Sequence, residues 1–381
     1  MRALKIHSLN ASRSIPGYDG PMAKPLVSVL IDTYNHERYI EQAILSVLEQ
    51  DFPAGEMEIL VVDDGSTDRT SEIIDSLERK FASRLRILRK ANGGQASAFN
   101  AGLRELSGEI VCFLDGDDWW AKEKVSRVVR AFDENPGVAA VGHGYYEVDD
   151  GAIRGRWLPG PGARLALETP ALALQSTSLR IFLGTSRLAM RRSALDKIMP
   201  LPTELTICAD TPLLTLAPAL GGAVILDELL CYYRVHSGNY YASDAPTEAQ
   251  AQTRYRLLRA LLALLPARLE ALGVSDAAIA AFLDFDRLEA ARLKLVLEGG
   301  TPWETYRVES AIARASYRDP SFGYRVFKDF TLLLALLMPP RQFYRMRHWY
   351  GSHGLQHWRK KIGTAADTVK PVNREHGSSR S

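Results

Sequence analysis

The chain has 381 residues, of which 46% are apolar and 24% charged, and its net charge is +2. This length allows one large domain and a second, smaller one, and the composition is that of a globular protein. The near-neutral charge gives no support for a nucleic-acid partner. Three widely spaced cysteines, Cys112, Cys208 and Cys231, form no C-x-x-C pair. They favour reduced thiols in a cytosolic compartment over a disulfide framework or a zinc site.

The two ends of the chain are polar. Residues 1–24 contain no apolar run of the length that a signal peptide requires, so we expect a flexible leader. Residues 362–381 are predicted to be disordered because they lack the apolar residues that build a core. No apolar run approaches the ~20 residues of a membrane span; the longest, 332–340, has about half that length.

Strand and helix patterns alternate over residues 26–148. Short apolar runs predict strands at 26–31, 58–62, 85–88, 109–114 and 138–148. Apolar residues at helical spacing predict helices at 39–50, 71–81, 95–106 and 121–135. This alternation is typical of βαβ units, so the predicted fold class is α/β with a mainly parallel sheet flanked by helices.

The rest of the chain is less regular. Residues 150–180 are rich in Gly, Pro and Ala and predict a loop-heavy insertion over the site. A helix is predicted at 187–198, another begins near Asp210, and a further strand is predicted at 223–230, before an aromatic-basic segment. From 243 to 361 the chain becomes rich in Ala, Leu and Arg, which predicts an appended C-terminal helical region.

Polar residues follow each of the first four predicted strands. They are Asp32-Thr33-Tyr34-Asn35, Asp63-Asp64-Gly65-Ser66, Asn92-Gly93-Gly94 and Asp115-Gly116-Asp117-Asp118. Any one of these segments could be an ordinary turn or helix cap. Ligands of open α/β sheets bind at the carboxyl ends of the strands, so together the four segments predict a binding site.

The fourth segment has the clearest chemistry. A buried strand that ends in clustered carboxylates is costly, because like charges at short range repel each other. A divalent cation offsets that cost, and it binds oxygen ligands from carboxylates and from substrate phosphates. The alternative is a solvated acidic turn. We interpret the cluster as a Mg²⁺ or Mn²⁺ site of an enzyme with a phosphate-bearing donor.

In order and spacing, the segments at 27–35, 61–68, 92–102 and 113–118 resemble family 2 glycosyltransferases. The resemblance covers residues 25–242 and implies a GT-A fold, a nucleotide-sugar donor, a divalent metal and inversion at the anomeric carbon. It makes Asp115 and Asp117 the metal-binding D-x-D pair. The Tyr-Arg-x-His segment that ends the domain adds His236 as a metal ligand or diphosphate contact.

The resemblance also implies the donor and acceptor contacts. The candidate nucleotide-binding residues are Thr33, Tyr34, Asn35, Asp63, Asp64, Asn92, Gly93, Gln95, Gly116 and Arg234. Carboxylates there can accept hydrogen bonds from a base or ribose, and glycines let the backbone approach the donor. The candidate sugar or acceptor contacts are Asp118, Trp119 and Trp120, although the tryptophans could instead cover the sheet edge.

The implied catalytic base is Asp210. Relatives carry an acidic pair at a helix start, whereas this chain has Ala209-Asp210. An inverting transfer needs one base to deprotonate the acceptor hydroxyl. The alternative is an ordinary helix N-cap, for which Asp before Thr-Pro is well suited.

Three positions depart from the family pattern. Asp32 stands where a proline is usual, Phe99 replaces an arginine, and Ala209 replaces the first acid of the pair. Arg234 could supply the charge missing at position 99. These departures leave open a catalytically impaired scaffold that binds nucleotide sugars. A nucleotidyltransferase is a weaker alternative, because residues 32–39 (DTYNHERY) contain no Gly-rich basic phosphate loop. NAD binding is disfavoured because no G-x-G-x-x-G follows a strand.

Residues 332–361 join an apolar run to a basic, aromatic segment without acids. This composition favours an interfacial helix on an anionic membrane, and a core helix with a solvated basic end is the alternative. We predict an inverting glycosyltransferase that uses a UDP-sugar and a glycan or lipid-linked acceptor. We expect it in the cytoplasm, or peripheral on the inner face of the cell membrane.

Overall fold

The computed structural model describes residues 25–149, 151–236, 239, 247–316 and 322–352. The predicted leader, 1–24, and the predicted disordered tail, 362–381, lie outside this range. So does the basic end of the predicted membrane-contacting segment, residues 353–361.

The first half of the sheet is parallel, as the sequence predicts. Its strands are β1 (Val27–Thr33), β2 (Met57–Asp63), β3 (Leu85–Arg89) and β4 (Ile110–Asp115), in the order β3-β2-β1-β4. The helices beside them are α1 (Ile40–Leu48), α2 (Thr70–Lys80), α3 (Gln95–Glu105) and α4 (Lys124–Glu134). Strands β1 and β4 are almost continuously apolar because helices cover both faces of a parallel sheet.

The second half of the sheet is mixed. Its strands are β5 (Trp119–Trp120), β6 (Ala140–Asp149), β7 (Ala152–Trp157), β8 (Arg164–Leu165), β9 (Ala189–Arg191) and β10 (Ala223–Val235). The sheet continues from β4 in the order β9-β6-β10-β5. Strands β6 and β10 are parallel to each other, whereas β9 is antiparallel to both of its neighbours, β4 and β6.

Two predictions for this half are wrong. The predicted helix at 187–198 starts only at Arg192, because Ala189 and Met190 are buried as a strand between β4 and β6. The predicted loop-heavy segment 150–180 instead contains β7, β8 and the helix α5 (Pro170–Leu179). Thr169 caps α5 by accepting a hydrogen bond from the Leu172 amide, and a proline follows at the first helical position.

Shorter helices complete this part of the chain, and a helical region follows it. Helices α6 (Arg192–Ile198) and α7 (Asp210–Leu216) precede β10. The C-terminal helices are α8 (Glu248–Ala271), α9 (Asp276–Leu297), α10 (Pro302–Ser316), α11 (Phe322–Leu337) and α12 (Pro340–Ser352). A capping box between Thr247 and Gln250 starts α8, and Ser275 caps α9.

The first two of these helices pack against the α/β part. Leu261, Leu265 and Phe282 are buried in the same apolar core as the sheet. The Arg180 guanidinium makes two hydrogen bonds to the Asp286 carboxylate, at 2.8 and 3.2 Å. Among the described helices, none has the length and apolarity that crossing a bilayer requires.

Candidate active site

The acidic site lies where β1 and β4 end side by side. Asp32 is the register partner of Asp115 across these two parallel strands. The turn after β4 adds two more acids, and carboxylate oxygens of Asp115, Asp117 and Asp118 lie within 4.8 Å of one another. The predicted sheet edge therefore brings together four carboxyl groups.

The electrostatics of this cluster show an excess of negative charge. Burial, together with the charges of Asp32 and its other acidic neighbours, raises the pKa of Asp115 well above its usual range. Burial and the charge of Asp117 raise the pKa of Asp32 to about 8. The same two causes raise the pKa of Asp118 to about 7. Ionisation of these acids is costly without added positive charge.

Asp117 differs from its neighbours because two histidines face it. His236, just after β10, has its Nε2 atom 2.9 Å from Asp117 Oδ2, and the Asn239 amide donates to the same oxygen at 3.4 Å. His36 Nε2 lies 4.0 Å away. Burial opposes ionisation of Asp117, but the His236 hydrogen bond and the two imidazoles lower its pKa overall. The structure thus brings His236 to the D-x-D pair.

This donor set fits a hard divalent cation. Mg²⁺ and Mn²⁺ prefer carboxylate oxygens, and several carboxylates converge here. A bound cation would also remove the repulsion that raises the pKa values of Asp32, Asp115 and Asp118. Asp115 and Asp117 would hold the ion, with His236 beside them.

Gln95, the first residue of α3, connects three parts of the site. Its side-chain amide donates to Asp115 Oδ1 at 2.9 Å, and its carbonyl oxygen accepts from the Ala209 backbone amide at 2.9 Å. The loop before β9 contributes Ser186, whose hydroxyl accepts from the Asp115 backbone amide at 3.1 Å. Through Gln95, the predicted segment 92–102 thereby connects the acidic cluster to the start of α7.

Asp210 also lies at the start of α7, next to Ala209. It is the first residue of α7, and its Oδ2 atom accepts from the Thr185 backbone amide at 3.1 Å. Burial raises the pKa of Asp210, and its charge contributes to the raised pKa of Asp115. No side-chain cap bond is present at the start of α7, so the capping alternative lacks its hydrogen bond. The carboxyl group instead faces the acidic cluster.

The predicted nucleotide-binding acids hold two loops in shape. Asp63 accepts from the Ser66 amide at 2.9 Å and from the Ser71 hydroxyl at 2.5 Å. Asp64 accepts from the Gly94 amide at 2.7 Å and pairs with the Lys90 ammonium. Both carboxylates are therefore already engaged within the protein.

The remaining predicted nucleotide contacts surround these loops. Thr33 is buried, with its hydroxyl 3.2 Å from His36 Nδ1, whereas Tyr34 and Asn92 are exposed. Asn35 has a left-handed backbone (φ 56°), and its side chain accepts from the Thr67 amide at 2.7 Å. Gly116 leaves no room for a larger residue, since a Cβ atom would lie 2.7 Å from Thr33 Oγ1.

Arg234 does not extend freely towards a donor phosphate. Its backbone amide donates to Asp118 Oδ1 at 2.8 Å, and its guanidinium donates to the Asp117 carbonyl at 2.8 Å. The guanidinium lies 4.6 Å from the Tyr39 ring centroid and 4.5 Å from that of Trp119. In this structure Arg234 fastens β10 to the D-x-D turn.

The three predicted sugar or acceptor contacts have different environments. Trp120 is buried and its indole N–H donates to the Ser186 carbonyl at 2.9 Å, so this residue belongs to the core and cannot contact a sugar. Asp118 is also buried, and one carboxylate oxygen has no hydrogen-bond partner among the described residues. Trp119 is partly exposed and stacks on Tyr232 with a centroid distance of 4.9 Å.

Two of the three positions that depart from the family pattern, Phe99 and Ala209, are internal, whereas Asp32 lies in the acidic cluster. Phe99 is fully buried and packs on Phe113 with a centroid distance of 5.1 Å. Ala209 is also buried. An arginine or acid at these places would have to leave the core, so the substitutions change packing as well as charge.

Sequence reasoning missed several residues of the site. They are His36, Lys90, Thr185, Ser186 and Arg187. Arg187 lies with its guanidinium 4.4 Å from the Tyr145 ring centroid, and its charge opposes the raised pKa values of Asp118 and Asp210. The Thr-Ser-Arg segment has no sequence signal of its own, because only the packing of β9 beside β4 brings it to the site. Lys90 could have been found as a cation next to Asn92-Gly93-Gly94.

The site and fold agree with comparisons against known proteins. Residues 28–199 match the model of glycosyl transferase family 2. The chain is 35% identical over 230 residues to the uncharacterized glycosyltransferase alr2836 of Nostoc sp., covering 60% of this chain and 70% of that protein. The chain belongs to glycosyltransferase family 2.

A second relative is also represented by solved structures. The poly(ribitol-phosphate) beta-N-acetylglucosaminyltransferase TarS of Staphylococcus aureus is 28% identical over 285 residues. That match covers 72% of this chain but spans only about half of TarS, 47% of its length. The crystal structure of S. aureus TarS 1–349 in complex with UDP-GlcNAc superposes with a TM-score of 0.54 at 23% identity, covering 85% of this chain and 93% of that one. This likeness confirms the GT-A fold.

Proposed function

We propose that this glycosyltransferase transfers a sugar from a UDP-sugar to a glycan or lipid-linked acceptor, with inversion and with Mg²⁺ or Mn²⁺. The observation that carries the proposal has two parts: Asp115 and Asp117 belong to one carboxylate cluster, and Asp210, at the start of α7, lies near enough for its charge to raise the pKa of Asp115. An unneutralised acidic cluster beside a separate buried carboxyl group suits a metal-bound diphosphate leaving group and a base.

The choice of a uridine nucleotide rests on the relatives. TarS has been crystallised with UDP-GlcNAc and is 28% identical to this chain over 285 residues. The turn held by Asp64 ends at Gly94, directly before Gln95, whose side chain donates to Asp115, so a nucleoside there would lie near the metal-bound diphosphate. We propose that the loops held by Asp63 and Asp64 contact the nucleoside mainly through their backbone and through Thr33, Tyr34 and Asn35.

Asp210 is the proposed base. Its pKa is raised by burial, which makes the carboxylate a stronger proton acceptor than an exposed aspartate. Asp210 takes the proton of the acceptor hydroxyl while that oxygen attacks the anomeric carbon. The bond from that carbon to the diphosphate breaks on the opposite face, so the configuration inverts. Thr185 keeps the carboxyl group oriented through its backbone amide.

The metal ion has a limited part in this scheme. When bound by Asp115 and Asp117, it would neutralise charge on the departing nucleoside diphosphate. The protein contributes the orientation of these ligands, because Gln95 holds Asp115 and His236 holds Asp117. Aspartates that are fixed in this way need little reorganisation when the donor binds.

A catalytically impaired scaffold is the alternative, motivated by Phe99 and Ala209. Both of these residues are buried, so neither leaves a gap in the surface that would face a donor. We therefore favour an active enzyme. We also propose that residues 332–361 contact the inner face of the cell membrane, where lipid-linked acceptors would be available.

The first experiment is donor hydrolysis. The purified protein is incubated with UDP-, GDP- and dTDP-sugars in Mn²⁺, Mg²⁺ or EDTA, and released nucleoside diphosphate is measured. We expect metal-dependent release from one UDP-sugar. Release that is insensitive to EDTA would refute the metal site, and release from a GDP- or dTDP-sugar would refute the uridine assignment.

The Asp210→Asn variant separates enzyme from scaffold. We expect turnover to fall about 10²- to 10⁴-fold, the usual contribution of a general base. Nucleotide affinity measured by calorimetry should stay within about twofold, because the nucleoside loops are untouched. Asp133→Asn, an exposed aspartate on α4, serves as the matched control. Wild-type turnover in Asp210→Asn would remove Asp210 as the base.

A further inference from the structure

Helix α11 exposes a row of apolar side chains. Val326, Phe330, Leu333 and Leu337 are 53%, 57%, 52% and 69% exposed, respectively. The spacing of four, three and four residues places them on one face of the helix. The row is about 16 Å long at 1.5 Å per residue, so it forms a continuous apolar strip rather than isolated surface residues.

The opposite face of α11 is also apolar and is already covered. Ala335 is fully buried, and it belongs to a small core with Leu295, Phe343 and Tyr344. A helix with apolar residues on two opposite faces normally has both of these faces covered. The exposed strip therefore requires a second apolar environment that the described part of this chain does not provide.

The charges next to the strip select its partner. Helix α12 follows directly, and its sequence, Pro340–Ser352, contains three arginines and no acid. Arg347 is paired with the buried Glu309, which leaves Arg341 and Arg345 as its exposed cations. The exposed Asp329 lies within the span of the strip, and from Phe330 to Ser352 the sequence has no further acidic residue.

We propose that the α11 strip docks on an anionic lipid surface, with the arginines of α12 at the headgroups. An apolar row flanked by cations is the composition of an interfacial helix, and anionic headgroups attract exposed arginines. A second copy of the chain is a poorer partner, because a symmetric contact would place the same arginines near each other. The strip is too short to cross a bilayer, so the helix lies in the plane of the interface.

The inference locates the membrane contact more exactly than the sequence does. The apolar-to-basic segment 332–361 begins in the middle of α11, whereas the exposed strip begins at Val326. The inference also stands apart from the transfer reaction. Lipid binding can be measured without donor, acceptor or metal, so its failure would leave the proposed catalysis unaffected.

The test is co-sedimentation of the full chain with vesicles. Vesicles of phosphatidylcholine alone are compared with vesicles in which roughly a third of the lipid is phosphatidylglycerol, which gives the surface a negative potential. We expect at least tenfold stronger binding to the anionic vesicles, with a loss at high salt. The double variant Leu333→Glu/Leu337→Glu should lower that binding at least tenfold, and Arg345→Glu about threefold.

Matched variants exclude general effects of added charge. Leu172→Glu/Leu174→Glu changes two exposed leucines of α5, and Arg259→Glu changes an exposed arginine of α8; both should bind as wild type does. Every variant keeps residues 353–381, so a tail-only attachment would leave Leu333→Glu/Leu337→Glu unaffected and overturn the proposal. If light scattering shows that the wild type is a dimer and that Leu333→Glu/Leu337→Glu is a monomer, the strip binds a second copy of the chain and the lipid proposal is wrong.

Discussion

Two buried acidic clusters of this protein solve the same electrostatic problem in different ways. In the helical region, Glu309 accepts from Arg292 at 3.0 Å and from the Tyr344 hydroxyl at 3.2 Å, and Arg347 pairs with its other oxygen. At the sheet edge, Asp32, Asp115 and Asp118 face one another, and in the described part of the chain the charge of Arg187 only partly offsets the effect of burial on Asp118. Burial raises all of these pKa values, but the arginines reverse the effect for Glu309.

The difference shows which cluster is built for a ligand. The Glu309 cluster is neutralised by its own side chains and needs nothing else, so its role is to hold α9, α10 and α12 together. The sheet-edge cluster keeps an excess of negative charge, which natural proteins tolerate where a cation or a substrate removes it. Charge balance therefore separates the structural site from the functional one.

The largest effect should come from Asp115→Asn. The variant keeps an acceptor for the Gln95 amide but removes one charge from the metal site. We expect turnover to fall about 10³-fold, the scale of several kcal/mol of lost charge stabilisation. The free energy of unfolding in EDTA should stay equal or rise, because one repelling charge is gone. Donor hydrolysis and chemical denaturation measure the two quantities.

Asp133→Asn again serves as the control, because it makes the same Asp-to-Asn change at an exposed position outside the site. If Asp115→Asn lowered stability and turnover in parallel, the acidic cluster would be a structural network like that of Glu309, and the distinction between the two clusters would be lost.

The opposite pattern is expected for Glu309→Gln. This change removes the buried carboxylate that Arg292 and Arg347 share, while Arg292 keeps its ion pair with Glu289. Loss of such a buried counter-charge costs about 3 kcal/mol of unfolding free energy. Turnover per folded molecule should stay within about twofold. Glu298→Gln, in an exposed pair with Lys294, is the matched control and should cost less than about 1 kcal/mol. Loss of turnover in a folded Glu309→Gln variant would contradict the assignment.

The parallel half of the sheet could be predicted because its information is local. Strands β1, β2, β3 and β4 are short apolar runs, each followed at once by its polar residues, so sequence order alone put Asp63, Asp64 and Asp115 at one edge. Asp210, at the start of α7, and His236, after β10, were instead assigned through the resemblance to the family, because their contacts with the site join distant parts of the chain.

The second half could not be predicted because its contacts join distant residues. Ser186 meets Asp115 across 71 positions, and Gln95 meets Ala209 across 114. The three residues of β9 carry no strand signal that outweighs the helix beside them. Arg234 was expected at a phosphate, but aromatic rings on both sides and the Asp117 carbonyl engage it. These contacts form only when the chain is packed, so the sequence alone does not indicate them.

The pH dependence of stability should show the excess charge directly. The folded pKa of Asp32 is raised to about 8 from 3.8, so the folded state binds more protons than the unfolded state between these values. Stability of the metal-free protein therefore falls as pH rises through this range. Relative to Asp32→Asn, we expect the wild type to lose unfolding free energy between pH 5 and pH 8, with a limiting slope of about 1.4 kcal/mol per pH unit.

Denaturation in EDTA at the two pH values measures this loss. Added Mn²⁺ should restore the wild type more at pH 8 than at pH 5, because only ionised carboxylates bind the ion. A difference between wild type and Asp32→Asn that is independent of pH would mean that Asp32 is neutralised within the protein.

The smallest effect tests the connection between the metal-binding turn and the base. Gln95→Leu removes the hydrogen bonds to Asp115 Oδ1 and to the Ala209 amide but keeps a side chain of similar size. We expect about a tenfold loss of kcat, equivalent to roughly 1.4 kcal/mol, with KM for the donor changed less than about threefold. Gln95→Glu should lower kcat more than Gln95→Leu does, because it adds a further negative charge to an acidic cluster. Steady-state kinetics of both variants at saturating Mn²⁺ decide the matter, and a loss confined to KM would make Gln95 a donor contact rather than a positioning residue.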